Sequence, residues 1–275
     1  MTAQPIFSAH TGYLFKELPF EERFEAAAAV GFDAVEHPYL ETFEPAVIRG
    51  LLKKHRLRFA QLSCAFGDLA MGEKGLAALP GRQSEFRATF DSALEFALAV
   101  DAPYVHPMAG VPPQGSDADA GSVYLENLHF AVQRTAGTPA KVLIEAISER
   151  SVPGYALSTL EQACRVQDVF GPGNLSLLFD TFHARATGID PAQWIAENAY
   201  RIGHIHIADH PGRQEPGTGT IDFEPVLSAL EAQSFQGAIG FEFTPSANTV
   251  ESLTFLAAWR ARSEIRRWHE RGHAR

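Results

Sequence analysis

Short apolar runs and amphipathic runs alternate along this chain eight times with no linker-like break, and that alternation limits the possible folds more than any other feature. The apolar runs fall at residues 6–10, 32–36, 57–63, 104–106, 142–147, 175–179, 202–207 and 238–243. Helical patterns follow them at 20–30, 45–55, 85–100, within 122–135, at 160–169, 191–198 and 224–232, and from 252 toward 270. Apolar residues recurring every three or four positions mark one face of a helix, whereas short apolar runs bounded by turn residues mark buried strands. Gly31 stands just past the first helical run, where a glycine readily takes the left-handed conformation that ends a helix. A strand–helix repeat predicts a parallel sheet, because parallel neighbours need a long crossover and a helix usually supplies it.

Eight repeats in 275 residues fit a single (β/α)8 barrel, for which roughly 250 residues is typical. The rival is an open doubly wound sheet, whose usual mark is a glycine-rich turn after the first strand. Here that turn is His10-Thr11-Gly12-Tyr13, with one glycine. We therefore expect one α/β barrel domain over residues 1–275, with a basic, polar tail at about 262–275. The longer non-helical stretches, 64–80, 109–121 and 208–220, all follow strands, so they are expected on the catalytic face.

Composition narrows the function. The formal net charge of −10 weighs against a nucleic-acid partner. No apolar run approaches the roughly 20 residues that span a bilayer, and MTAQPIFSAH has neither the basic start nor the apolar stretch of a secretion signal. Cys64 and Cys164 make no disulfide framework and fit a reducing compartment. The expected setting is cytoplasmic, without a membrane, and the expected partner is a small molecule.

The chemistry gathers at the ends of strands five to eight: Glu145 in VLIEAI, Asp180 in LSLLFD, His206 in GHIHIAD and Glu242 in GAIGFEF. Each lies about one βα repeat beyond the last, and neighbouring strands of a barrel lie side by side, so the four side chains should converge on one rim. Three carboxylates buried near one another are costly without a cation. The set suits one divalent ion, Mg²⁺ or Mn²⁺ first, with Co²⁺ tolerated and Zn²⁺ kept as a lesser fit. His183, three residues after Asp180, is expected in a loop that reaches the same rim. Arg213, in the loop after His206, offers a planar fork for a substrate carboxylate or phosphate. The run Gly217-Thr218-Gly219-Thr220 reads as a phosphate loop or, equally, as a glycine turn. His106 and Glu36 also end strands and are secondary candidates; His204, two residues deeper than His206, is expected to be structural.

These residues carry a family resemblance. IEAISERSVPGY, LLFDTFHA, GHIHIADHPGRQEPGTGTIDF, GFEFTPS and GDLAMGEKGLAALPGRQSEFR resemble the hydroxypyruvate isomerase branch of the xylose-isomerase-like barrels. The resemblance implies a divalent metal on Glu145, Asp180, His206 and Glu242, an acid/base pair formed by Glu145 and Glu242, and substrate contacts from His183 and Arg213. It also implies a homo-oligomer. The chain departs from the branch at Ala146, Ser148, Ser151, Thr181 and Phe182, and carries His206 where the branch often has Gln and ketose 3-epimerases have His.

The chemistry open to such a rim is enediolate proton transfer on a small α-hydroxycarbonyl compound. Return of the proton to the neighbouring carbon isomerises the substrate, as in hydroxypyruvate to tartronate semialdehyde or a related 2-oxo acid. Return to the same carbon from the other face epimerises it, as in a ketose 3-epimerase. Two rivals come from other classes: a metal-dependent abasic-site endonuclease, which needs several metals, and a non-catalytic ligand-binding barrel, which needs none.

Overall fold

The computed structural model describes residues 5–38 and 42–262. Eight strands, each parallel to its neighbours, close into one barrel in chain order. They are β1 (Ile6–His10), β2 (Ala34–His37), β3 (Arg58–Ser63), β4 (Tyr104–His106), β5 (Lys141–Glu145), β6 (Leu175–Asp180), β7 (Ile202–Ile207) and β8 (Ala238–Phe241). Around them run α1 (Glu22–Ala29), α2 (Pro45–His55), α3 (Gln83–Ala99), α4 (Asp117–Thr135), α5 (Leu160–Phe170), α6 (Thr181–Ala186), α7 (Pro191–Asn198) and α8 (Phe223–Ala232). This is the (β/α)8 barrel that the alternation predicts. No helix among the described residues is long and apolar enough to cross a membrane.

Strands β6 and β7 are buried along their whole length, as strands covered on both faces must be. On β7 the period of two sends Ile205 and Ile207 toward the helices and His204 and His206 into the barrel. The outer layer is aromatic where β1 meets β8: Phe7 and Phe32 pack on Phe241 at 5.5 and 5.6 Å, and Trp259 packs on it at 5.8 Å. Such pairs add about 0.5–1.5 kcal/mol each beyond area burial, so packing reinforces the ladder from Ile6↔Ala238 to Ala9↔Phe241 that closes the barrel.

Local sequence signals set the helix starts. Thr159 and Gln162 form a reciprocal capping box at the head of α5, and Pro45 and Pro191 occupy first turns, where no backbone N–H is needed. Several bounds differ from expectation. Helix α4 begins at Asp117, inside the stretch expected to be loop. Helix α6 is additional: Asp180 accepts from the backbone N–H groups of Phe182 and His183 and turns the expected loop into a short helix. Strand β5 stops at Glu145 and β8 at Phe241, earlier than the apolar runs suggest, because the chain has reached the rim. The last expected helix begins as a 3-10 turn, Glu251–Leu253, and a helix then occupies 255–262. The rest of that helix and the basic tail lie outside the described residues.

Candidate active site

The strand ends converge as the repeat requires. Glu145 and Asp180 are the last residues of β5 and β6, His206 is the penultimate residue of β7, and Glu242 follows β8 directly. One donor atom from each lies within 4.8 Å of one from every other. Asp180 divides its carboxylate: Oδ1 caps α6, at 2.7 Å from the Phe182 nitrogen, which leaves Oδ2 to face the rim. His183 is therefore carried on the first turn of α6 and is buried, not on an exposed loop. Its Nδ1 stands 3.2 Å from Ser148 Oγ and 3.4 Å from Ser151 Oγ, which turns Nε2 toward the rim.

The loop after β7 is folded around one carboxylate. Asp209 accepts from the backbone N–H groups of His210 and Ile221 with Oδ1, and from those of Gly217 and Gly219 with Oδ2, at 2.8–3.0 Å. The glycine run is thus a turn wrapped on Asp209, and its amides have no phosphate to hold. Arg213 sits at the bend with φ +52°, and its carbonyl accepts from Thr244 N after β8. That left-handed backbone, uncommon for a non-glycine residue, aims the guanidinium back over the rim. There Nη2 donates to Glu242 and to Asp180 Oδ2 (3.3 Å), Nη1 lies 3.4 Å from His183 Nε2, and the planar group lies over Tyr13 and Phe182.

Burial and neighbours push the two glutamates apart. Burial, and then the charge of Glu242, hold the Glu145 carboxyl well above the usual carboxylate range. Burial also acts to raise Glu242, but His206, Arg213 and His10 together overrule it and hold it well below that range. Burial would lower His206, yet Glu242 and Glu36 raise it well above an ordinary imidazole. His183 is lowered to about 4 and His106 to about 3, both mainly by burial, so both stay neutral.

Glu145, His183, His206, Arg213 and Glu242, with His10 and His106, line one cavity of about 280 Å³ at the C-terminal mouth of the barrel, together with Lys74, Phe66, Met108 and Val152. Its size suits a ligand of a few carbons. A larger cavity of about 620 Å³ opens at the opposite mouth, lined by Arg49, Arg58 and Gln236, but it holds none of the rim donors. Barrel chemistry belongs to the C-terminal face, so volume does not select the site. A divalent ion fits the rim: the donors are hard, three of the four are carboxylates, and Glu145 Oε1 is buried with no hydrogen-bond partner.

Comparison with known proteins agrees with this geometry. Residues 24–259 match the xylose isomerase-like TIM barrel family. The chain belongs to that family. It is 37% identical to the 2-oxo-tetronate isomerase of Cupriavidus necator over 94% of this chain and 100% of the relative. It is 31% identical to the hydroxypyruvate isomerase of Escherichia coli over 92% of this chain and 99% of that one. The crystal structure of a Brucella melitensis protein described as an AP endonuclease of family 2 matches at 34% identity with a TM-score of 0.89, over 94% of this chain and 100% of that one. Within the xylose isomerase-like family the chain falls with the hydroxypyruvate isomerase branch, and it is an isomerase.

Three residues of this family member's site carry more than the sequence reading gave them. His10 Nε2 lies 3.2 Å from Glu242 Oε1. The rule that picked out strands five to eight, a polar residue at an inward strand end, would have found it on β1. Glu36 is fully buried; its Oε2 stands 3.3 Å from His206 Nε2 and accepts from Gln61 Nε2 at 3.1 Å. His204 is fully buried below the rim, in charged company: its Nε2 is 2.7 Å from Glu36 Oε2, out of line for a hydrogen bond.

Proposed function

We propose that the chain is a divalent-metal-dependent isomerase of small hydroxy-oxo acids, with hydroxypyruvate and 2-oxo-tetronates as the favoured substrates. The observation that carries this reading is the pair of glutamates, Glu145 and Glu242, facing one small cavity with pKa values driven in opposite directions. The names of the relatives support the substrate class. Glu145, Asp180, His206 and Glu242 would hold the ion, Mg²⁺ or Mn²⁺ by their oxygen-rich character. Bound there, it would stabilise negative charge as it develops on the substrate's oxygens.

The protein's own groups do the rest. Of Glu145 and Glu242, one removes the proton from the hydroxyl-bearing carbon and the other delivers one to the neighbouring carbon, while the hydroxyl proton passes to the former carbonyl oxygen. The sequence of events is one C–H bond broken, one formed, and an enediolate between them. Neutral His183, fixed by Ser148 and Ser151, offers Nε2 to a substrate hydroxyl. Arg213 lies against Glu242 and favours its ionised state. The acidic chain offers no basic stripe for DNA.

The test is a turnover screen with added Mn²⁺ or Mg²⁺ over hydroxypyruvate, 2-oxo-tetronates and simple ketoses. Activity on the acids that disappears with chelator and returns with the ion is the expected result. Activity on ketoses alone would replace this reading with epimerisation or sugar isomerisation.

A further inference from the structure

The cavity contains a cation that the proton-transfer chemistry does not use. Two side chains on its wall, Arg213 and Lys74, carry a fixed positive charge. The Arg213 guanidinium is already engaged by Asp180 and Glu242. Lys74 has no ion pair among the described residues, yet it lines the cavity at its mouth.

Its position is built with care. Lys74 lies between Glu73 and Gly75 in the loop joining β3 to α3, and both neighbours are fastened. Glu73 accepts from Asp68 N with Oε2 (2.7 Å) and pairs with Arg82 through Oε1 (2.5 Å). Gly75 N donates to Phe66 O at 2.9 Å, closing residues 66–75 into a compact loop. The loop is then docked on the end of β4: Gly75 bridges Ala109, Ala77 N donates to Met108 O and Ala78 N donates to Ala109 O. The approach is so close that a Cβ on Gly75, at φ +132°, would meet Met108 O at 2.2 Å, and one on Gly110 would meet Gly75 O at 2.2 Å. A lysine that merely solvates a surface needs none of this. The backbone of Lys74 is held in place, and its long stem gives the ammonium reach across the mouth.

The remaining wall explains what that charge meets. Phe66, Met108, Ile147 and Val152 are the apolar part of the cavity wall that the rim carboxylates share. A bound hydroxycarbonyl compound turns its oxygens down to the rim. Lys74 is exposed, but it lines the same cavity, so its ammonium is placed to meet the far end of such a compound in a charge-assisted contact. A neutral hydroxymethyl group gains little there, and a carboxylate gains most.

We propose that Lys74 is the group that binds the substrate's carboxylate and selects small hydroxy-oxo acids over neutral ketoses. This rests on the assignment of hydroxy-oxo acids as substrates. The test compares wild type, Lys74→Met and Lys74→Arg, each loaded with Mn²⁺. For Lys74→Met, KM for hydroxypyruvate should rise about 10- to 100-fold, the worth of one charge-assisted contact, with kcat within about threefold. KM for a neutral ketose of similar size should stay unchanged, and Lys74→Arg should recover most of the loss. Calorimetric binding of glycerate, an unreactive hydroxy acid of the same length, should weaken by the same factor in Lys74→Met.

Unchanged glycerate affinity and unchanged KM in Lys74→Met would overturn the role of Lys74 while leaving the isomerase assignment standing. A kcat loss without a KM change would overturn it as well. Wild type that turns over only ketoses would overturn the hydroxy-oxo acid reading; glycerate binding that weakens in Lys74→Met would still support an anion site at Lys74, and wild type that binds no glycerate would remove it.

Discussion

Two groups of buried carboxylates and imidazoles lie one layer apart in this barrel and share His206. The upper group, Glu145, Asp180 and Glu242 with Arg213, adjoins the cavity; in the lower, Glu36 and His204 are fully buried and Gln61 ties Glu36 to the cavity wall. Each brings at least three ligand-type atoms within 4.8 Å of one another, so residue type and spacing do not separate them. Charge does. In the lower group one carboxylate faces two imidazoles, and its low pKa persists because His204 and His206 overrule the effect of burial. In the upper group three carboxylates share Arg213 and His206, and burial with the charge of Glu242 holds the Glu145 carboxyl well above the usual range, its Oε1 unpartnered. Excess carboxylate beside the cavity marks the reactive layer; one carboxylate balanced by two imidazoles marks its support.

The largest expected effect falls on the upper layer. Glu145→Gln and Glu242→Gln keep shape and remove a proton carrier, so turnover should fall about 10²- to 10⁴-fold. Thermal unfolding should show both variants folded. Either variant at near wild-type rate would end the acid/base assignment. The lower layer should respond in the opposite sense. Glu36→Gln leaves two imidazoles without their buried anion, and breaking such a pair typically costs about 3–5 kcal/mol. It should melt well below wild type, while calorimetry should show Mn²⁺ affinity about 10- to 100-fold weaker, as when a metal-binding histidine loses its carboxylate partner. A Glu36→Gln protein that melts normally yet has no turnover would place Glu36 in the chemistry and erase the distinction between the layers.

The upper layer was the legible one. Glu145, Asp180, His206 and Glu242 recur once per βα repeat, and the barrel converts that recurrence into convergence. The lower layer is harder to read because interior positions of barrel strands are usually aliphatic: the sequence offers Glu36 only as a secondary candidate and His204 as a structural residue, and gives no reason to choose Gln61. Their meeting depends on strands distant in sequence: Glu36 and His206 are 170 residues apart. Helix α6 escaped for another reason, since six residues carry no helical period and the Asp180 cap alone starts it. The glycine run after β7 was ambiguous until Asp209 was seen to hold its amides.

A pH series tests the charge argument with a smaller effect. His106 and His183 are buried neutral, lowered from 6.5 to about 3 and about 4. Such groups contribute stability above pH 6.5 that is lost as pH falls through their folded values, because the unfolded chain takes the proton first. Glu242 and Glu36, both depressed, add a further loss below the ordinary carboxylate range. Glu145 has the opposite sign: its raised pKa favours folding below the ordinary carboxylate value and loses that contribution as pH rises toward the raised one. Thermal melts across pH in chelator should therefore show an acid arm and an alkaline arm. Mn²⁺ favours ionised Glu145 and should flatten the alkaline arm alone. An alkaline arm indifferent to the ion would mean that Glu145 is not one of its ligands.

The smallest effect concerns how the upper layer is balanced in the metal-free chain. Arg213 reaches Glu242 and Asp180 with one nitrogen, so a single guanidinium does part of what a divalent ion would do for the same oxygens. Charged hydrogen bonds of this kind are worth about 1.5–3 kcal/mol each, and part of that is lost here because the side chain is 21% exposed. Arg213→Gln should thus lower the melting temperature of the metal-free protein modestly. The ion should recover most of that loss, because it neutralises the carboxylates that Arg213 leaves behind. The stabilisation by Mn²⁺ must then be larger in Arg213→Gln than in wild type. Equal stabilisation in the two proteins would show that guanidinium and metal answer different charges, and that the upper layer is balanced without the ion. A larger one ties both to the same two carboxylates, Asp180 and Glu242.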